Sequence, residues 1–215
     1  MTQPTSPKRA YNSTRRQAQA RETRMQILTA ARKLFIAYGY AGATIEAIAQ
    51  DAGVVAETVF AIFGNKHTIL ARLMDVTVGG DDQPVPLLQR SGPQATLQES
   101  DPTCQLQLFA QDITTILERV APLFEVLRMA AKTEPDIAEL LKNLLQERFK
   151  NMMFFVQSLF SHGPMRQGLV QVQSAEIVWT LSSPEVFRLL TQDRGWSREQ
   201  YIAWLGDTLV RLLLP

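Results

Sequence analysis

Side chains suited to nucleic-acid recognition are concentrated between residues 44 and 66. Glu57 can accept a hydrogen bond from cytosine N4, and Thr58 can contact a base or a phosphate. Lys66 opens a predicted helix, where its cation and the free backbone N–H groups could meet a phosphate. A simpler alternative for Glu57 is that its charge only stabilises the N-terminus of its own helix. The sequence alone leaves both roles of Glu57 open.

Two short helices around a tight turn must position these side chains, and the local sequence predicts both. Thr44 is a suitable N-cap for the first helix, and Asn65 for the helix that follows the second. Gly53 lies in the turn, where a left-handed backbone is expected. Helix, glycine-containing turn and helix is the layout of a DNA reader. The side chains that we expect to meet DNA here are Thr44, Val55, Ala56, Glu57, Thr58, Phe60, Ala61 and Lys66, with Ala56 and Ala61 suited to thymine methyl groups.

This segment resembles the operator-binding signature of TetR-type (tetracycline repressor family) transcriptional regulators. A second stretch, residues 174–213, is similar to the C-terminal region of many of them. The resemblance implies an all-α protein that binds a palindromic operator as a homodimer and encloses a small-molecule pocket in its C-terminal helical bundle. The residues that carry the first resemblance are Ile27, Ala30-Ala31, Leu34-Phe35, Gly39-Tyr40, Thr44, Ile48-Ala49, Ala52-Gly53-Val54, Thr58, Phe63, Asn65-Lys66 and Leu70.

The recognition helix departs from the family pattern at four positions. The family usually has a Ser or Thr cap and a basic residue where this chain has Val55 and Ala56. It usually has an aromatic hydroxyl and then Tyr or His where this chain has Phe60 and Ile62. These departures remove groups that position a protein on the duplex. The alternative function is therefore a dimeric helical small-molecule-binding protein with weakened or lost DNA binding.

Charge is distributed unevenly along the chain. Residues 1–75 carry ten Lys or Arg and five Asp or Glu, whereas the remainder carries twelve and sixteen. A basic N-terminal region beside an acidic remainder favours nucleic-acid contact at one end only. Arg21 and Arg24 are the candidates for this contact, although they could also belong to a merely solubilising tail.

Composition excludes several classes of protein. The single Cys104 cannot form an intrachain disulfide and suits a reducing cytoplasm, so we expect a cytoplasmic location. His67 and His162 lie far apart, and no spacing of ligands predicts a metal site. No apolar run reaches membrane-spanning length, and the N-terminus lacks the apolar core of a signal peptide. No catalytic set emerges, so we expect neither an enzyme nor a cofactor.

The pattern of apolar residues and helix breakers predicts three segments. Residues 1–18 are expected to be a disordered basic tail, and residues 19–65 the helix-turn-helix domain. Residues 66–215 are expected to form the ligand-binding and dimerisation domain, with Pro122 starting a new helix. Within this domain, residues 79–102 are rich in Pro, Gly and Ser and predict a long loop. That loop is either a plain surface linker or a functional element.

Aromatic and aliphatic residues of the C-terminal part could line a cavity or simply fill a core. The pocket candidates are Phe109, Ile113, Phe124, Leu127, Arg128, Phe154, Phe155 and Trp179. Arg128 could meet an anionic ligand, or its stem could pack while its charged head reaches solvent. The last two helices have a surplus of apolar residues, which indicates a four-helix dimer contact. The dimer candidates are Phe187, Leu189, Leu190, Trp204 and Leu212.

Overall fold

The computed structural model describes residues 9–215, and this part of the chain is helical without a strand. The predicted all-α class is confirmed. The chain divides into two compact units, Met1–Leu73 and Met74–Pro215. The helices are α1 (Arg9–Gly42), α2 (Ile45–Asp51), α3 (Ala56–Phe63), α4 (Lys66–Gly79), α5 (Ser91–Gln98), α6 (Pro102–Ala130), α7 (Pro135–His162), α8 (Gln171–Leu181), α9 (Pro184–Arg188) and α10 (Arg198–Leu213).

Helix α1 begins earlier than the sequence predicts. The prediction of a disordered tail was wrong for residues 9–18, because α1 already starts at Arg9. Residues 1–8 of the predicted tail lie outside the described residues. Arg, Gln and Ala in this stretch are good helix formers. The non-helical backbone at Gly39, with φ +69°, interrupts α1.

The helix-turn-helix is fixed by local capping. The Thr44 hydroxyl accepts a 3.1 Å hydrogen bond from the Ala47 N–H, which confirms Thr44 as the N-cap of α2. Gly53 has φ +67° in the turn, as predicted. Val55 precedes α3 and gives it no side-chain cap. The Asn65 carboxamide accepts a 2.8 Å hydrogen bond from the Thr68 N–H and so caps α4.

The central helix of the second unit is α6, which runs through Pro122 without interruption. The predicted restart at Pro122 was wrong. A proline inside a helix costs about 3 kcal/mol, but here Val120, Leu123 and Phe124 around it are buried. Their packing holds α6 in one piece along the core.

The connection between α4 and α6 is folded rather than a plain loop. It contains a 3₁₀ turn, Leu87–Gln89, and helix α5, so the prediction of a structureless loop over 79–102 was wrong. The Arg90 guanidinium donates to both carboxylate oxygens of Asp81, at 2.9 and 3.0 Å, and to the carbonyls of Gln83 and Val85. Leu97 packs on the core of the second unit.

Side-chain caps mark the starts of the last two helices. The Ser183 hydroxyl caps α9, and Ser197 with Gln200 forms a capping box at the start of α10. A π-helical turn, Leu189–Asp193, follows α9. The core of this unit combines side chains of α6, α7, α8 and α10, including Leu106, Leu117, Val156, Val178, Tyr201 and Leu205.

Candidate nucleic-acid interface and ligand cavity

Helix α3 presents an unusual exposed face. Val59 and Phe63 are buried and attach the helix to the first unit, which leaves the opposite side free. Val55 and Phe60 on that side are 62% and 48% exposed. Glu57 and Ala61 are exposed, and Ala56 and Thr58 are partly exposed. The face is therefore apolar, with one carboxylate and no cation.

Cations that could balance this face lie on α1. Arg21 and Arg24 are exposed, as are Arg15 and Arg16 one turn or more earlier. Such side chains are suited to phosphate contacts, which position a protein without reading sequence. These exposed cations thus lie on α1, which precedes the recognition motif in the sequence, rather than on α3.

Lys66 is held by the first unit itself. Its ammonium donates a 2.7 Å hydrogen bond to the Tyr40 carbonyl and lies 4.3 Å from the centroid of the Tyr40 ring. A cation is unfavourable at a helix N-terminus, and the carbonyl and the ring face offset that cost. This geometry gives Lys66 a structural role; its predicted phosphate contact stays a prediction.

Two adjoining pockets that share part of their walls lie inside the second unit, and we term them lobes. The Arg148 lobe has a cavity volume of about 120 Å³ and is lined by residues of α4, α6 and α7, among them Met74, Val78, Phe124 and Arg148. The Asp112 lobe has a cavity volume of about 40 Å³ and is lined in part by Phe109, Asp112 and Phe155. Both lobes share the wall residues Leu87, Ile113, Ile116, Asn151 and Met152.

The folded connection closes the Asp112 lobe. Leu87, Leu88, Pro93, Thr96 and Leu97 line it, so the segment predicted as a loop forms one wall. A mainly apolar lining with a few polar groups is typical of small-molecule sites. The connection therefore forms part of the pocket wall, and whether it also has a function stays a prediction.

Arg148, which the sequence did not single out, is the cation of this cavity. Its Nη2 donates to the Trp179 carbonyl at 2.6 Å and to the Ser182 hydroxyl at 3.0 Å, and its guanidinium carbon lies 5.0 Å from the Trp179 ring centroid. Burial lowers the pKa of Arg148 to about 10, despite the opposing field of Glu185. The side chain still carries a full charge at neutral pH.

Asp112 is the acidic counterpart in the other lobe. Burial raises the pKa of Asp112 above its usual range, and the field of Arg119 only partly opposes this. Gly92 of α5 packs so closely on this carboxylate that a Cβ there would lie 2.0 Å from its Oδ1. A side chain at Gly92 would therefore displace α5 or Asp112.

The predicted pocket residues divide into two groups. Phe109, Ile113, Phe124 and Phe155 line the cavity. Leu127 and Phe154 do not. Leu127 is fully buried in the core, whereas Phe154 is 50% exposed because the core side of α7 carries residues 152, 155, 156 and 159.

The two remaining pocket candidates, Arg128 and Trp179, lie beside the cavity rather than in its wall. Arg128 pairs with Glu185 at a surface depression, over the Phe124 ring. The Trp179 ring packs against Arg148, and its indole N–H is buried with no hydrogen-bond partner among the described residues.

The predicted dimer residues also divide. Phe187 was wrong as a contact, because it is buried in the subunit core with its ring 4.9 Å from that of Tyr201. Trp204 and Leu190 are partly buried against the same core. Leu189 and Leu212 are 53% and 37% exposed and stay available for a partner.

No cluster of metal-ligating side chains occurs among the described residues. Within the same residues, no helix combines the length and the apolar character needed to cross a membrane.

A helix-turn-helix with an exposed second helix, followed by a helical unit, indicates the class: a DNA-binding transcriptional regulator. Residues 27–73 match the family model described as bacterial regulatory proteins, tetR family. The first unit therefore carries the DNA-binding region of TetR-type transcriptional regulators. No curated protein sequence matches this chain significantly.

Solved structures share this fold over nearly their full length. One is a protein described as a transcriptional regulator from Saccharomonospora viridis, in complex with choline: 19% identity, 90% of this chain and 98% of that chain, TM-score 0.70. Another is the transcriptional regulator FadR from Bacillus subtilis in complex with stearoyl-CoA. It is 18% identical, the match covers 87% of this chain and 95% of that chain, and the TM-score is 0.67. A third is NalD from Pseudomonas aeruginosa, the secondary repressor of the MexAB-OprM multidrug efflux pump. It is 20% identical, the match covers 89% of this chain and 96% of that chain, and the TM-score is 0.67. Such identities show a common fold.

Proposed function

We propose that the protein is a repressor that binds a palindromic operator as a homodimer and leaves it when a small, largely apolar molecule enters the cavity. The observation that carries this proposal is the pair of adjoining, mainly apolar lobes in the second unit of a chain whose first unit contains a helix-turn-helix. FadR and the choline-bound protein, which share the fold and were solved with a small molecule bound, support a ligand-responsive role, and NalD, described as a repressor, supports repression.

On DNA, α3 is the reading helix of each protomer. Two copies related by a two-fold axis would enter successive major grooves roughly 34 Å apart. Val55, Phe60 and Ala61 offer apolar contact to thymine methyl groups, and Glu57 offers an acceptor to cytosine. Arg21 and Arg24 would supply phosphate contacts. This chemistry predicts half-sites in which thymines flank a cytosine.

The dimer would form through α9, the π-helical turn and α10. Leu189 and Leu212 are exposed apolar side chains in these segments, and each lies next to residues that already fill the subunit core. Pairing such segments from two protomers gives a four-helix contact.

Ligand and DNA would be coupled through α4. This helix begins at Lys66 beside the recognition motif, and its last turns carry Met74 and Val78 into the wall of the Arg148 lobe. Arg119 of α6 donates to the carbonyls of Thr77 and Val78, at 3.1 and 3.3 Å, so α6 holds the C-terminal end of α4. A ligand that separates α6 from α4 would therefore shift the end of α4. It would release DNA only by its preference for the shifted state.

The test is selection of genomic fragments by the purified protein, followed by anisotropy titration of the recovered duplex. A recovered palindrome bound by two protomers, and released by at least one compound of a broad metabolite panel, is the expected result. Recovery of no common sequence would contradict the operator; a palindrome that no compound releases would contradict the ligand-responsive part.

A second candidate is a helical ligand-binding dimer that has lost operator binding, and the apolar, cation-free face of α3 favours it. The two functions differ in salt dependence. Operator binding predicts an affinity that falls steeply with salt and depends on sequence. The second candidate predicts no measurable preference between a palindrome and a scrambled duplex.

A further inference from the structure

We propose that the ligand of the cavity is an organic acid, a single carboxylate on an apolar body, with the carboxylate bound by Arg148. The inference rests on the proposed ligand-responsive function and names the chemistry of its ligand. The observation behind it is a mostly buried arginine that faces a cavity without a carboxylate partner.

The partners of Arg148 within the chain are neutral. They are the Trp179 carbonyl, the Ser182 hydroxyl and the Trp179 ring, and among the described residues no carboxylate lies within ion-pair distance of the guanidinium. A buried cation without a counter-charge is costly. An incoming carboxylate would supply that charge and the bidentate acceptor geometry that guanidinium prefers.

The acidic side chains near Arg148 are engaged elsewhere. Glu185, whose field reaches Arg148, pairs with Arg128 at the surface. Glu147, which precedes Arg148 on α7, also lines the Arg148 lobe, but its side chain is 64% exposed and pairs with Lys150. Neither carboxylate forms an ion pair with Arg148, so the guanidinium can still accept an anionic ligand.

The remaining lining sets the orientation of the acid. Ile113, Ile116 and Met152 form the apolar wall that both lobes share. Asp112 lies at the other end and would repel a carboxylate there. The acid would thus bind with its head at Arg148 and its apolar body along the shared wall into the Asp112 lobe.

The experiment uses the full-length protein without DNA and three ligands with the same tail: decanoate, 1-decanol and decylamine, below their micelle-forming concentrations. Calorimetry and thermal shift should show decanoate binding about 30-fold or more tightly than decanol, as expected for a charge pair in a desolvated site. Decylamine should bind weakest. Decanoyl-CoA is the fourth ligand; tighter binding of this thioester than of the free acid would overturn the proposal.

Two variants locate the charge. Arg148→Gln should reduce decanoate affinity to that of decanol and leave decanol binding unchanged, whereas Arg148→Lys should keep part of the preference. Arg188→Gln is the matched control, because Arg188 is a surface arginine of α9 that pairs with Glu125 and leaves the Arg128–Glu185 pair intact; it should leave decanoate affinity within about threefold. If Arg148→Gln does not fold, the wild-type series and Arg148→Lys still decide.

The outcomes separate this inference from the proposed function. If decanol or decylamine binds as tightly as decanoate, or if folded Arg148→Gln keeps the acid preference, the inference is wrong and ligand-responsive regulation stands. If none of these ligands binds and no compound of a broad panel shifts the melting temperature, the ligand-responsive part of the proposed function falls, and the inference falls with it.

Discussion

Replacing Lys66 with methionine tests whether this lysine stabilises the first unit or contacts DNA. Methionine keeps most of the apolar stem and removes the charge. The ammonium makes a 2.7 Å hydrogen bond to the Tyr40 carbonyl and lies over the Tyr40 ring. A hydrogen bond from a charged group contributes about 1.5–3 kcal/mol, and a partly exposed cation–π contact about 0.5–1 kcal/mol. Relief of the cation at the N-terminus of α4 returns about 0.3–1 kcal/mol.

The balance is a loss of about 2 kcal/mol in the free energy of unfolding, which urea denaturation can measure. DNA binding supplies the second readout, because each phosphate contact adds about 0.9 to the slope of log affinity against log salt. Lys66→Met should leave that slope unchanged. Arg24→Gln is the control: exposed Arg24 should lower the slope by about 0.9 and leave stability unchanged. A Lys66→Met variant of wild-type stability with a reduced slope would refute the structural role.

Three further predictions concern coupling, base reading and assembly. Arg119→Gln should leave ligand affinity and ligand-free DNA affinity within about threefold but weaken ligand-driven release, measured by anisotropy; full release would contradict the link from α6 to α4. Replacing an operator thymine with uracil removes its methyl group and should weaken binding where Val55, Phe60 or Ala61 contacts that base. In Phe60→Ala, the loss of affinity caused by uracil should disappear at one position. Equal affinity of the unmodified protein for the thymine and uracil duplexes would contradict apolar readout. The double variant Leu189→Glu, Leu212→Glu should be a folded monomer in light scattering, because a dimer contact would bury the new charges without partners. An unchanged dimer would place the interface elsewhere.

Local signals in the sequence were sufficient for the helix-turn-helix. Thr44, Gly53 and Asn65 act within three residues of their own positions, so their roles can be read without tertiary information. Pro122 shows the limit of this reading. Its local preference for a helix start was outweighed by the packing of the buried residues around it.

The prediction of a long loop over residues 79–102 was wrong for a related reason. Its prolines and glycines predict a loop, but the contacts of Arg90 with Asp81, Gln83 and Val85 fold it, and Leu97 then packs on the core. Composition indicates where helices stop; it does not indicate which polar network will order the segment in between.

The sequence predicted a cation in the cavity but indicated the wrong arginine. Arg128 attracted the prediction because apolar residues surround it at helical spacing. Arg148 lies in a polar-looking stretch of α7, and its partners at Trp179 and Ser182 come from α8 and the residue after it, 31 and 34 positions later. Burial created by a contact of that separation leaves no periodic signal.

The central claim, a DNA-binding dimer that a cavity ligand controls, is tested most directly by one titration. A fluorescent duplex carrying the recovered palindrome is saturated with protein at physiological salt. The compound of the metabolite panel that raises the melting temperature most is then added while anisotropy is recorded. The account predicts two protomers per duplex and a return to the anisotropy of free DNA. Equal affinity for the palindrome and a scrambled duplex, before any ligand is added, would contradict it.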